Sequence, residues 1–416
     1  MYYYLADPPP HPHKISTMKK TLLALSCLIT LLANGQVFKF EWAKKAPYDS
    51  NVKSRVKDVS GNVYTTGELS NNINISKSDS SGKIIWVKNI GGPGSESGTS
   101  IALDAAGNVY VTGNFQKVMD FDPGAGTFNL GSTDPNAYKS NAFVLKLDAS
   151  GNFVWAKNFG GDGITYGNSL TADASGNIYI TGLFSYTTDF DPGEGIFNLT
   201  VEEESDTYIV KLNASGNFVW AKNFEHSGAS EQSHSIAVDA SGNVYTTGFF
   251  FQKRDFDPGK AKFYLTSMGS RDIYISKLDA EGNFMWAKSI GGKFEDEGKS
   301  IALDKTGNVY VTGYFSSAVD FDPGKGKLML TSPEYYSNDD KKDIFIIKLD
   351  PAGNLIKAIQ LGDDYSDEGH DISLDASGNI YLAGSHKGKT DFDPGAGEFF
   401  LNSMYKEYFT LKLSQN

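Results

Sequence analysis

The pattern Asp-x-x-Gly-Asn-[Val/Ile]-Tyr recurs six times in this chain, with its Asn at 62, 108, 177, 243, 308 and 379. Self-similarity at a near-constant period marks a repeat architecture, because one unit cannot bury its own apolar face and must stack on the next. Each unit carries four strand-like segments, here lettered a to d. In the second unit these are 100–104, 109–115, 142–148 and 153–159, all rich in β-branched and aromatic residues. Asp-x-x-Gly joins a to b and again c to d, as at Asp104–Gly107 and Asp148–Gly151. Asp accepts from its own backbone and Gly supplies a positive φ, so each is a turn with a mechanism.

Eleven such turns occur where six complete units need twelve, with Asn213 replacing the Asp once. The last unit ends after its third segment, Phe409–Leu413, and residues 37–44, Val-Phe-Lys-Phe-Glu-Trp-Ala-Lys, form a fourth segment with no unit before them. Joining the two predicts an all-β fold: a six-bladed β-propeller of four-stranded blades, closed by the N-terminal strand as outer strand of the last blade. Ring closure also removes open sheet ends. An open solenoid would need polar caps, and the turn pattern shows none.

The units resemble SBBP-type β-propeller repeats of exported bacterial proteins, through Asp-Ala-Ser-Gly-Asn-Val-Tyr at 239–245, Lys-Leu-Asp at 277–279 and Phe-Val-Trp-Ala-Lys at 153–157. The resemblance covers nearly all of residues 37–416 and implies a surface or secreted propeller. Its name suggests seven blades, against six counted here. It brings no agreed catalytic residues.

Outside the repeats, Met18-Lys19-Lys20 followed by the apolar run Thr21–Leu32 and the small residues Ala33-Asn34-Gly35 predicts a signal peptide over 18–35. Residues 1–17 read as an upstream extension, untranslated or unstructured, and residues 36–416 as one propeller domain. The only cysteine, Cys27, falls in the leader, so the mature chain has no disulfide and no thiolate. The apolar run is too short to span a bilayer, and no other exists. Net charge is −12, with no basic run after residue 20, which argues against nucleic acid. The expected product is an exported monomer.

The candidate sites are few. Asp-Phe-Asp-Pro-Gly occurs five times between b and c, pairing Asp120 with Asp122, Asp189 with Asp191, Asp255 with Asp257, Asp320 with Asp322 and Asp391 with Asp393. The five loops are expected to crown one face. Paired carboxylates in a tight turn suit Ca2+, although a calcium site needs six or more oxygens. The alternative is a capped turn over a buried Phe. The first unit has Glu68-Leu69-Ser70-Asn71-Asn72 there instead. Acidic d–a loops, such as Glu295-Asp296-Glu297, lie on the same expected face.

Trp42, Trp86, Trp155, Trp220 and Trp286 share one position in strand d, where Lys357 stands once, and read as inter-blade packing. Lys146 and Asp148, on one face of strand c, read as a structural ion pair or an exposed edge. The histidines His226, His234, His370 and His386 are read as falling at unrelated repeat positions, which gives no metal cluster and no triad. Departures from symmetry are the better ligand candidates: Arg55 and Lys57 in the first strand a, expected to line a central channel, and Asp371, where other units have Ser. Together these features predict a binding or scaffold protein contacting a glycan or another protein through its loop-rich face, with no catalytic set. A calcium-dependent hydrolase or lyase at the channel is the alternative.

Overall fold

The computed structural model describes residues 38–46, 49, 51–131, 139–201, 205–224, 231–333, 341–363 and 365–415. The expected leader, residues 1–17 and His226 lie outside them. Six four-stranded antiparallel sheets form the blades of a propeller. Blade 1 comprises Val52–Lys57, Val63–Leu69, Asn72–Ser78 and Ile84–Ile90, and blade 2 Ser97–Leu103, Val109–Phe115, Asn141–Leu147 and Phe153–Gly161. Blades 3, 4 and 5 repeat this order, their innermost strands being Thr165–Ala172, Glu231–Val238 and Glu297–Leu303. Blade 6 takes Glu368–Leu374, Ile380–Asp391 and Phe400–Gln415 from the end of the chain and Phe38–Ala46 from its start. The N-terminal strand pairs antiparallel with the C-terminal one from Phe38 opposite Gln415 to Ala46 opposite Tyr408.

The repeated heptapeptide accounts for itself in hydrogen bonds. Asp104 Oδ1 accepts the N–H groups of Ala106 and Asn108, and its Oδ2 accepts from the Asn108 amide and the Tyr110 hydroxyl. Gly107 has φ +80°, which only glycine adopts without strain. Lys146 does not pair with Asp148 as expected. Its ammonium lies over the Tyr110 ring and donates to the Ala214 carbonyl of the next blade.

Five apolar clusters hold five seams, those between blades 1 and 2, 2 and 3, 3 and 4, 4 and 5, and 5 and 6. At each of them the neighbouring innermost strands lie side by side. A serine of one innermost strand accepts the backbone N–H of the next at four of these seams, as Ser100 does from Leu170. Farther out, Trp155 lies on Gly216, Trp86 on Gly151, Trp220 on Gly282 and Trp286 on Gly353, each glycine belonging to the next blade's c–d turn. Blade 6 has no c–d turn because two chain ends meet there. Lys357 accordingly replaces Trp and sits over Phe38 of the closing strand.

The Asp-Phe-Asp-Pro-Gly segments do not stand up as a crown. Each tips a small hairpin back over the seam with the preceding blade and buries its Phe there: Phe121, Phe190, Phe256, Phe321 and Phe392 are fully enclosed. Asp189 pairs with Gly160 of blade 2, and Asp391 bridges to Gly362 of blade 5. Blade 1 has a two-residue turn instead, with Ser70 and Asn71 at φ 55° and 63°. The seam between blades 6 and 1 therefore has no such hairpin among the described residues.

Candidate functional site at the channel mouth

Each innermost strand carries a one-residue bulge near its start, and the bulge falls at the same place in every blade. A bulge leaves one residue out of the ladder and re-aims its side chain. The six residues are Lys53, Thr99, Asn168, His234, Lys299 and His370, and they ring the end of the channel that carries the d–a loops. His234 and His370 thus occupy equivalent positions, five residues before the strand-a aspartates Asp239 and Asp375, contrary to the expectation of unrelated ones. That fixed offset was the available signal.

Around the ring the chemistry is graded. In blades 2 and 3, Thr99 donates to the Gly167 carbonyl and Asn168 to the Ser233 carbonyl, so both are spent on joining blades. In blades 4 to 6 the ring is charged. Glu297, almost fully buried, accepts from His234 Nε2 at 2.9 Å, from Lys299 Nζ at 2.8 Å and from the Tyr314 hydroxyl, with Arg271 Nη1 at 3.8 Å. Burial alone would raise its carboxyl. The His234 hydrogen bond and the nearby cationic charge outweigh burial and hold it well below the usual carboxylate range. Burial pushes His234 toward the neutral form, against its bond to Glu297.

Glu368 repeats the arrangement one blade on. It meets His370 Nε2 at 3.3 Å, Lys406 Nζ at 3.2 Å and Lys342 Nζ at 3.8 Å. The His370 bond, opposed by burial and assisted by the two lysines, brings its carboxyl down to about 2. Lys342 also lies 3.9 Å over the Tyr314 ring, and Arg271 4.6 Å over Phe249. The result is an arc where Arg271, Lys299, Lys342 and Lys406 surround two carboxylates in a chain of net charge −12. Such an arc suits an anionic group; Glu297, already saturated with donors, is a poor base.

The sites expected from sequence fall elsewhere. Arg55 stands where the other blades have buried Ile or Leu and Lys57 where they have half-buried Leu, Ala or Val; both are exposed, on the side of the innermost strand opposite Val56, which packs into the seam with blade 2. Asp371, in the serine position, faces them from blade 6. It is exposed, and its Oδ1 accepts from the Ser300 hydroxyl at 3.1 Å. The paired aspartates serve their turns. Asp120 Oδ1 accepts the N–H groups of Asp122 and Phe128, and Asp122 Oδ1 that of Gly124. The same three bonds recur in the loops of Asp189, Asp255, Asp320 and Asp391, so one carboxylate oxygen of every aspartate in these pairs is engaged by its own turn. Among the described residues, no group of three or more His, Cys, Asp or Glu is placed to hold a metal ion. Also among them, no helix is long and apolar enough to cross a membrane.

Fold and mouth together define a β-propeller repeat protein. The SBBP beta-propeller repeat matches residues 85–114, 154–183 and 286–314, each running from strand d of one blade through strands a and b of the next. Among curated proteins it is 23% identical over 366 residues to an uncharacterized WD repeat-containing protein, L264, of Acanthamoeba polyphaga mimivirus, covering 74% of this chain and 26% of that one. It is 26% identical over 213 residues to the regulatory protein FlaEY of Caulobacter vibrioides, covering 50% and 22%. The chain thus spans about a quarter of the length of these relatives. Among solved structures, a protein of unknown function from Bacteroides caccae aligns at TM-score 0.38 and 10% identity, over 82% of this chain and 93% of that one. Sqt1 from Chaetomium thermophilum aligns at TM-score 0.39 and 11% identity, over 91% and 99%.

Proposed function

We propose that the protein is an exported binding or scaffold propeller that holds an anionic group of a glycan or protein partner at its channel mouth. The observation that carries this is the cationic arc of Arg271, Lys299, Lys342 and Lys406 around the buried Glu297 and the half-buried Glu368, with Glu295 also 3.8 Å from Arg271. The carboxylates fix the cations in place, and the aromatic faces under Arg271 and Lys342 keep them extended. The printed names of the two curated relatives, one a WD repeat-containing protein and one regulatory, fit a binding role.

Calorimetric titration with sulfated, uronate-bearing and neutral oligosaccharides tests it. Anionic ligands are expected to bind with an affinity that falls as salt rises. Arg271→Ala with Lys342→Ala is expected to weaken binding at least about tenfold, the loss of one charge-assisted contact or more. Equal binding of neutral and anionic ligands would overturn the reading. Export is tested separately by the mass of the secreted chain, expected to begin at Gln36.

A further inference from the structure

The seam between blades 6 and 1 differs from the other five in its side chains as well as its packing. On the blade 1 wall, Arg55, Thr65, Asn74, Ser76 and Ser78 stand where blade 2 has Ile101, Val111, Phe143, Leu145 and Leu147, all buried against blade 1. On the blade 6 wall, Thr410 stands where blades 1 to 5 have Ile75, Val144, Ile209, Ile275 and Ile346, all buried. Val87 is 45% exposed, whereas its counterparts Ala156, Ala221 and Ala287 are 0%, 2% and 3%. The outer latch is not made either. A Cβ on Gly82 would meet nothing within 4 Å, where four other c–d turn glycines have a tryptophan ring over them. These are polar faces of the kind that repeat proteins keep for terminal units.

We propose that this seam is a lateral cleft that binds an acidic polysaccharide strand, a site separate from the mouth. Its inner edge carries two exposed cations on one strand, Arg55 and Lys57, with Asp371 of blade 6 close enough to feel the Arg55 charge. Its middle is a row of hydroxyls and amides on the blade 1 wall, Thr65 bonded to Ser76 and Asn74 to Asn89. Its outer rim carries Trp42, packed edge-on to Tyr381, with Lys412 over the tyrosine ring. Ring faces, neutral donors and cations are what a chain of carboxylate-bearing sugars takes up. A peptide bound by strand addition would need an unpaired strand edge between the walls, and the middle strands Val63–Leu69, Asn72–Ser78, Ile380–Asp391 and Phe400–Gln415 are each paired on both sides.

The test uses a galacturonate decamer, a neutral glucan of equal length and a polyglutamate peptide against the full chain. Rebuilding the seam with R55I, N74F, S76L and T410V is expected to raise the melting temperature and to weaken decamer binding more than about tenfold. Because that variant could misassemble, Arg55→Gln and Lys57→Gln provide a milder pair. Together they are expected to cost about three- to tenfold with the melt unchanged. With the mouth disabled by Arg271→Ala and Lys342→Ala, the decamer is expected still to bind, and Arg55→Gln with Lys57→Gln is expected to remove that remaining binding, which separates failure here from failure of the mouth site. No decamer binding by the parent, equal binding of the neutral glucan, preference for the peptide, or full affinity in the seam variants would each overturn the proposal.

Discussion

The seams between blades 2 and 3 and between blades 6 and 1 are built from the same strand order but from opposite chemistry. At the first, Phe190 of a folded-back hairpin, Val144, Leu170 and Val210 are enclosed together, and Trp155 lies over Gly216. At the second, the positions that would do this hold Arg55, Asn74, Ser76 and Thr410, and among the described residues no hairpin covers them. One unit can therefore specify two kinds of interface by changing only the residues on a single sheet face. The backbone follows from the turns, and the seam follows from the side chains.

The largest effect should come from deleting residues 38–46. That strand supplies Phe38 and Ala43 to the blade 5/6 core and closes the last sheet. Its loss is expected to exceed the ~5 kcal/mol of a severe single core truncation and to abolish cooperative melting. A truncated chain that melts like the parent would break the account of blade 6. Next comes Phe190→Ala at the sealed seam, expected to cost about 3–5 kcal/mol by chemical denaturation. Asp189→Ala strands the N–H groups of Asp191 and Phe197 and is expected to cost about 1–3 kcal/mol. The same melt repeated in chelator is expected not to move, whereas a drop would return these loops to calcium.

A smaller, pH-dependent effect belongs to the sealed seams. Asp296 and Asp367 cap the loops beneath the blade 5 and blade 6 hairpins, and burial raises each carboxyl from 3.8 to about 8. The folded chain then binds more protons than the unfolded one between those values. Stability is expected to fall as pH rises from about 4 to about 8, and Asp296→Asn with Asp367→Asn to flatten that slope. Val87→Ala, at the open seam, should change stability by no more than about 0.5 kcal/mol.

The fold was legible in the sequence because each turn needs Asp, Gly and Asn at set offsets, so turn chemistry alone counts the blades and finds the missing twelfth turn. The absent Asp-Phe-Asp segment in blade 1 was legible too, but its meaning was not. Only the folded-back hairpin shows that this segment seals a seam, which is why Asp120 and its counterparts read equally well as cation ligands. Arg55, Lys57 and Asp371 stood out as breaks in symmetry, yet which face of an innermost strand they occupy depends on a bulge that the sequence does not announce. The mouth carried a signal in its spacing, since Lys53, Thr99, Asn168, His234, Lys299 and His370 each stand five residues before a strand-a aspartate, but their differing types gave no shared chemistry to notice.

The central claim, that five seams are sealed and the sixth is polar and open, is tested most directly by thiol labelling of Val87→Cys and Ala156→Cys in a chain whose only cysteine, Cys27, is replaced by Ser. These positions are equivalent in blades 1 and 2, and both side chains face the preceding blade. The account predicts that Cys at 87 reacts in the native protein at nearly the rate of an unfolded control, while Cys at 156 is protected by orders of magnitude. Equal protection at both positions would contradict it and show the ring sealed all round.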